Sequence, residues 1–286
     1  MAFWGDYHTH TTYSRKGDKL HAKGSVLQNA QTAARRGLKE LAITDHGFTH
    51  VYGVEGADAF ARLKADCAEA EKLTGVKIYA GLENNLDPRC GKSADVTPFI
   101  ACPQDILSEL QIVQGGYHAF IGAPTLAKNV RFWSRNVIFK FLPKRKIKEY
   151  NTQAYKRMID EYPIDFIGHL NRGIIADAVE VAKYAHERGV YIELNGRHKS
   201  LTDAEIKQMA ACGVEFICNS DAHNADDVGK MTLGEKYIKD CGVPYELIAN
   251  WERLPDFRSA NFKAARAEKN KADGGADATE DSHVND

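Results

Sequence analysis

Short runs of apolar and β-branched residues alternate with amphipathic stretches through most of the chain. The runs at 3 to 8 (FWGDYH), 39 to 44 (KELAIT), 76 to 81 (VKIYAG), 110 to 114 (LQIVQ), 164 to 168 (IDFIG), 190 to 194 (VYIEL) and 214 to 219 (VEFICN) predict seven strands. Between them, helical patterns run over 57 to 74, 146 to 161 and 174 to 188. Two further helices carry their own punctuation. Ser25 is placed to cap VLQNAQTAARR, which Gly37 closes, and Thr202 to cap DAEIKQMAAC, which Gly213 closes. Strands that alternate with crossover helices lie parallel, so the pattern predicts an α/β fold.

Two segments break this rhythm. From residue 263 the chain reads KAARAEKNKADGGADATEDSHVND, with too little apolar surface to offset the entropy of ordering it, and 263–286 are expected to form a disordered polar tail. Between residues 110 and 148 there is no Asp or Glu, while Lys128, Arg131, Arg135, Lys140, Lys144, Arg145, Lys146 and Lys148 alternate with Phe132, Trp133, Ile138, Phe139, Phe141 and Leu142. This basic, aromatic insertion, about 123–150, is expected to pack its apolar side on the body and to offer a rim to anionic substrates. The remainder, 1–262, reads as one domain.

Composition adds little. The 286 residues are 43% hydrophobic with a formal net charge of −1, so nothing global points to nucleic acid. The first residues, MAFWGDYHTH, lack a basic segment followed by an apolar run, and no apolar stretch is long enough to span a bilayer; the expectation is a cytoplasmic protein. The six cysteines, Cys67, Cys90, Cys102, Cys212, Cys218 and Cys241, contain no CxxC pair and read as reduced, mostly buried thiols.

The histidines carry the chemistry. Of eleven, seven (His8, His10, His21, His46, His118, His169 and His223) fall within or shortly after loops that follow a predicted strand. Glu83 follows the third strand in GLEN, and Asp221 follows the seventh in CNSDAH. Each motif alone has an ordinary structural reading. Asp6-Tyr7-His8-Thr9-His10 could be a polar strand end, Thr44-Asp45-His46-Gly47 a capped turn, and His118 or His169 a core histidine bonded to backbone. Together they differ. In a closed parallel barrel all these strand ends share one rim, so residues separated by up to 215 positions would converge there. The i, i+2 pairs His8/His10 and Asp221/His223 put two donors on one face of an extended chain, and the nitrogen and oxygen mixture suits zinc, manganese or iron.

The pieces DYHTH, AITDHG, GLEN, GGYH, IGHL, IELN and SDAH occur in that order over residues 6 to 229. In this respect the sequence resembles the PHP (polymerase and histidinol phosphatase) superfamily, and within it the small stand-alone phosphatases of bacteria. The resemblance implies a distorted seven-stranded (β/α)7 TIM-like barrel holding two to three divalent metal ions, with zinc the leading expectation. It assigns His8, His10, Glu83 and Asp221 to a first ion and His21, His46 and His223 to a second. A third would be shared by Glu83 with His118 and His169. The sequence departs from the family where the chain reads YSRKGDKLHAKGS instead of a stretch resembling YSHGKGS. Aligning His21 to the family histidine treats the preceding residues as a loop insertion; without it, Arg15 or Lys16 would stand there.

Such a cluster suits the hydrolysis of phosphate monoesters. Cations neutralise the phosphoryl oxygens and lower the pKa of bound water from about 15.7 toward about 7, so a metal-bound hydroxide is the expected nucleophile. Asp45 is expected to receive the second N–H of a ligand imidazole. Arg172 and Arg197, on the same rim, are expected to clamp phosphate, with Asn195 as a polar wall residue; His198 lies close enough to be a general acid but reads first as a solvated loop histidine. His50, His186 and His283 fall outside the predicted cluster. The expected partner is a small phosphorylated substrate, and the sequence does not fix the oligomeric state. Two other classes stay open at this stage: a phosphodiester-cleaving nuclease of the same superfamily, and a metal-binding regulatory module without activity.

Overall fold

The computed structural model describes residues 3–86, 104–118 and 144–260. Within these lie strands β1 (Gly5–Asp6), β2 (Arg15–Lys16), β3 (Lys19–Leu20), β4 (Glu40–His46), β5 (Lys77–Asn85), β6 (Ile112–Gly116), β7 (Phe166–Ile167), β8 (Tyr191–Asn195) and β9 (Phe216–Asn219). Seven form one parallel sheet in the order β1-β4-β5-β6-β7-β8-β9, and each coincides with one of the seven predicted runs. The sheet curls into a nearly closed TIM-like barrel. Its seam, between β9 and β1, is held by a Thr9–Ala222 bridge and by the bond from Tyr7 N to Asn219 Oδ1 at 3.0 Å. Asn250 staples the same seam from outside both strands. Its Nδ2 donates to Gly5 O at 2.8 Å and Cys218 O at 2.6 Å, while its Oδ1 accepts from Cys218 N.

Alternation along the strands sorts residues between two environments. One set (Leu41, Ile43, Ile78, Leu82, Val113, Ile192, Phe216) packs outward against the helices, which bury Leu63, Val181, Ile206 and Ile238 over it. The other set fills the lower barrel: Tyr7, Ala42, Ile112, Phe166, Tyr191 and Ile217 pack with Phe257 and Ala249. Burying each such aliphatic or aromatic side chain contributes about 1.5–3 kcal/mol. Two residues further along β6, β8 and β9 the same inward column turns polar, with Gln114, Glu193 and Asn219, all fully buried. The inward column of β5 likewise runs from Tyr79 to Glu83. The barrel is therefore apolar at its base and polar at the carboxyl ends of its strands, where such folds place their chemistry.

The helices follow their caps. Ser25 and Thr202 both form capping boxes, with Gln28 and Glu205 answering them, on Val26–Arg35 and Asp203–Ala211. The predicted helix 57 to 74 is Ala57–Thr74. The helix predicted from 174 begins only at Ala178, because Asn171 and Gly173 adopt left-handed backbone and Asp177 supplies the cap. Most of the basic insertion and all of the 263–286 tail lie outside the described residues; the helix Lys144–Glu161 spans the insertion's end. Cys67, Cys212, Cys218 and Cys241 are free thiols, and all but Cys212 are buried. Among the described residues, no helix is long and apolar enough to cross a membrane.

Candidate metal centre

Glu83 is the hub. The β4–β5 ladder pairs His46 with Glu83, so backbone register alone brings these two side chains together. His46 Nδ1 lies 2.7 Å from Glu83 Oε2. Around the same carboxylate stand His169 Nε2 at 2.6 Å, His118 Nε2 at 3.3 Å, His8 Nε2 at 3.4 Å and His10 Nε2 at 3.6 Å. His8 and His10 aim at one point, with their Nε2 atoms 3.2 Å apart, although β1 itself covers only Gly5–Asp6. Asp221 Oδ1 closes this side, 3.7 Å from His8 Nε2 and 3.5 Å from His10 Nε2. The ring of His223 stands 4.4 Å from that of His10.

Buried partners orient these groups. His8 Nδ1 meets Glu193 Oε1 at 2.8 Å, and Glu193 Oε2 accepts from His169 N at 2.7 Å. Asn219 and Asn195 donate to the same carboxylate. His118 Nδ1 donates to Asn85 Oδ1 at 2.7 Å. Gln114 Nε2 reaches Glu83 Oε1 at 3.1 Å through space that only a glycine at 168 leaves, since a Cβ there would meet that Nε2 at 2.5 Å. His169 and Asp221 both have positive φ, 30° and 54°, an outlier geometry that costs about 1–3 kcal/mol and clusters at functional sites. The surrounding structure pays for it in part through Asp6, which accepts from Ser220 and Gly229 and so pins the loop carrying Asp221 and His223.

The electrostatics match the geometry. Burial would push Glu83 and Asp221 up, but the imidazoles around them, His118 and His8 at Glu83 and His8 and His10 at Asp221, hold both carboxylates well below their usual range. Burial lowers His10 and His223 to about 3 and takes His46 and His118 well below the ordinary value, so these rings are neutral at neutral pH. His8 is the exception: burial works against its charge, yet Glu193, Asp221 and Glu83 hold it well above. Several buried ring nitrogens have no hydrogen-bond partner among the described residues: His10 Nδ1, His46 Nε2, His118 Nε2 and His169 Nδ1. Buried polar atoms of native proteins are partnered, and neutral imidazoles beside anionic carboxylates are a donor set for divalent cations. Four triads have donor atoms mutually within 4.8 Å: His8/His10/Asp221, His8/Glu83/His169, His46/Glu83/His118 and His10/His46/His223.

The centre opens into a cavity of about 410 Å³ lined by His21, His50, Tyr52, Tyr117, Arg172, Arg197 and His198 among others. Arg172 and Arg197 thus reach the predicted rim. His198 lies 3.6 Å from Asp221 Oδ2. His21 stands exposed at the edge, its ring 5.1 Å from that of His46 and 4.9 Å from that of His223, and it belongs to none of the four triads. Arg15–Lys16 and Lys19–Leu20 form a hairpin before it, and Arg15 Nε donates to Gly17 O at 2.7 Å.

Three expectations are corrected. Among the described residues Asp45 receives no imidazole; its oxygens accept from Thr11 N at 2.7 Å, Thr11 Oγ1 at 2.5 Å and Ser14 Oγ at 2.6 Å, because Asp45 points out of the barrel interior toward that loop. The partner role expected of it falls to Glu193 for His8. Asn195 is buried and spent on Glu193, Asp221 and the amides of Arg197 and His198, instead of facing the cavity. His50, set aside from sequence, lines the cavity with its ring 3.9 Å from that of His46.

These features coincide with a family relationship. Residues 6–197 match the PHP domain family, and the chain belongs to that family. Its curated relatives put it among the phosphatase-type hydrolases. A probable phosphatase of Caldanaerobacter subterraneus subsp. tengcongensis is 30% identical over 262 residues, covering 86% of each chain. A probable phosphatase of Thermoanaerobacter sp. is 30% identical over 254 residues, covering 86% of this chain and 89% of its own. The fold is that of the histidinol phosphate phosphatase of Lactococcus lactis subsp. lactis, solved with zinc, L-histidinol and phosphate (TM-score 0.57, 16% identity, 91% of this chain and 98% of that one).

Proposed function

We propose that this protein hydrolyses phosphate monoesters at a centre of two to three divalent metal ions, zinc first among zinc, manganese and iron. The observation that carries the reading is Glu83, a fully buried carboxylate within 3.6 Å of five imidazoles, at the floor of a cavity with two arginines on its wall. His8, His10, Glu83 and Asp221 would hold one ion, and His46 and His223, with His21 from the rim, a second. Glu83, His118 and His169 would hold a third. Bound there, divalent cations neutralise phosphoryl oxygens and make water acidic enough to attack at neutral pH. The chain's own part is arrangement. Glu193 and Asn85 keep the ligand rings in one tautomer, and Arg172 and Arg197 present guanidinium groups to the phosphoryl oxygens. The Lactococcus enzyme, seen with zinc and phosphate in the same fold, supports the metal and the substrate class.

The test is metal content together with hydrolysis of 4-nitrophenyl phosphate and of a dinucleotide, for the parent protein and for His10→Ala and Asp221→Ala. Two to three metals per chain, with monoester turnover lost in both variants, is the expected result. Metal-free protein after anaerobic purification and reconstitution, or unchanged turnover in both variants, refutes it. Preference for the dinucleotide would make the protein a phosphodiesterase.

A further inference from the structure

His50 is in none of the metal-competent triads, yet it lines the cavity above them. Its Nδ1 accepts a hydrogen bond from Tyr52 N at 3.2 Å, which puts the proton of the neutral ring on Nε2. The ring plane is fixed by His46, centroid to centroid 3.9 Å at 34°, and by His118 at 5.0 Å. Among the described residues, no hydrogen bond occupies Nε2. His50 and Val51 also line a second cavity, of about 440 Å³, whose walls include Lys16, Phe48, Val54 and Ile106. His50 therefore stands between the polar centre and a hollow with several apolar walls.

The geometry points to His50 as the donor that meets the departing ester oxygen, with the alcohol portion of the substrate in the second cavity. This rests on the monoester reading above. A phosphoryl group over the buried ligands must direct its alcohol away from them, and an N–H at the junction of the two hollows faces the oxygen that joins the two parts. In the reaction the oxygen of water bonds to phosphorus, and the P–O bond to the alcohol breaks with its electron pair on the departing oxygen. One proton of that water ends on the alcohol and the other on orthophosphate. His50 supplies a hydrogen bond to the charge developing on the departing oxygen, a contact stronger in the transition state than in the ground state. Phe48, Val51, Val54 and Ile106 share the walls of this cavity with Arg15, Lys16 and Glu55, so the favoured substrates are monoesters of bulky alcohols with an apolar body and a polar edge.

The test compares an alkyl ester, 2-phenylethyl phosphate, with 4-nitrophenyl phosphate, whose leaving group needs little help. His50→Phe keeps a ring against His46 without the donor, and His50→Gln restores an N–H. With Phe, kcat/KM for the alkyl ester is expected to fall about 10²-fold, and for the nitrophenyl ester by less than about threefold. Gln should recover part of the loss, with metal content and inhibition by inorganic phosphate unchanged in both. Equal losses on the two esters, or weakened phosphate inhibition, overturn the assignment while leaving the monoester reading intact. A parent protein that turns over neither ester overturns both.

Discussion

Glu193 Oε1 and His8 Nδ1 lie 2.8 Å apart in the barrel interior, both residues fully buried. The contact leaves His8 Nε2 facing His10, Glu83 and Asp221. Among the described residues, every hydrogen-bond partner of the Glu193 carboxylate is a donor: His8 Nδ1 and Asn219 Nδ2 on one oxygen, His169 N and Asn195 Nδ2 on the other. In Glu193→Gln either orientation of the amide sets an NH₂ against two donors. Such outer partners of ligand imidazoles are worth about 10–100-fold in metal affinity. Glu193→Gln should show that loss in zinc or manganese titration of the metal-free protein, and unchanged affinity would exclude a positioning role.

The pH dependence of the metal-free protein follows from the depressed imidazoles. His10 and His223 are lowered to about 3, His50 and His198 to about 4, by burial in each case. Below about pH 6.5 the unfolded chain binds protons at these positions that the folded chain does not, so stability falls as pH falls. His8 runs the other way, because its raised value contributes stability that is fully present below about 6.5 and lost only as pH rises through its folded value. The expected result is a Tm that drops steadily from pH 7 to pH 5 after chelation. A flat or rising Tm over that window would contradict the burial of neutral rings.

The strands and most of the histidines were legible because both are signals of short range. A β-branched run names a strand, and a histidine just beyond it can point only near the rim. The partners were harder. Glu193 lies in the middle of β8, where a strand interior is ordinarily apolar, and only the turn of the inward column from Tyr191 to Glu193 reveals it. A register argument on YIELN, with tyrosine, glutamate and asparagine on one face, could have found it. His50 was missed because its direction is set by the turn after Gly47, where His50 N bonds Gly47 O and Gly53 N bonds His50 O, and no periodicity applies to such a turn. From sequence Asp45 reads as part of the turn after a strand ending at residue 44, whereas the strand runs on to His46 and carries Asp45 on its outer side. β5 runs on to Asn85, past its predicted end at 81, with Glu83 and Asn85 on its inner side and Asn84 bonded to Leu82 O and Gln114 O.

Asp45 has its own consequence. Its three short contacts tie the loop of Thr11 and Ser14 to β4, and Ser14 Oγ in turn accepts from His46 N at 3.2 Å. Asp45→Ala strands three buried donors, each costing about 1–3 kcal/mol when unsatisfied, so a loss of at least about 3 kcal/mol is expected in urea unfolding. Because the loop also carries His10, metal affinity should fall with it. A variant as stable as the parent would show that water or a shifted loop replaces the carboxylate.

The two arginines on the wall should separate in kinetics. Arg172 lines the cavity through its side chain while its backbone N–H is tied to His169 O, so truncating the side chain leaves the ligand loop bonded as before. A charge-assisted hydrogen bond to phosphate is worth about 1.5–3 kcal/mol, and Arg172→Ala should raise KM for a monoester about 10–100-fold with metal content unchanged. Arg172→Lys should recover only part, because an ammonium cannot reproduce a planar fork on two oxygens. Arg197 differs, since its Nη1 sits against His223 Nδ1 at 2.5 Å. Removing it frees a ring that also contacts Asp221 O, so Arg197→Ala should change metal affinity as well as KM. Identical profiles for the two alanine variants, with metal content intact in both, would place Arg197 on the substrate alone and break its link to His223.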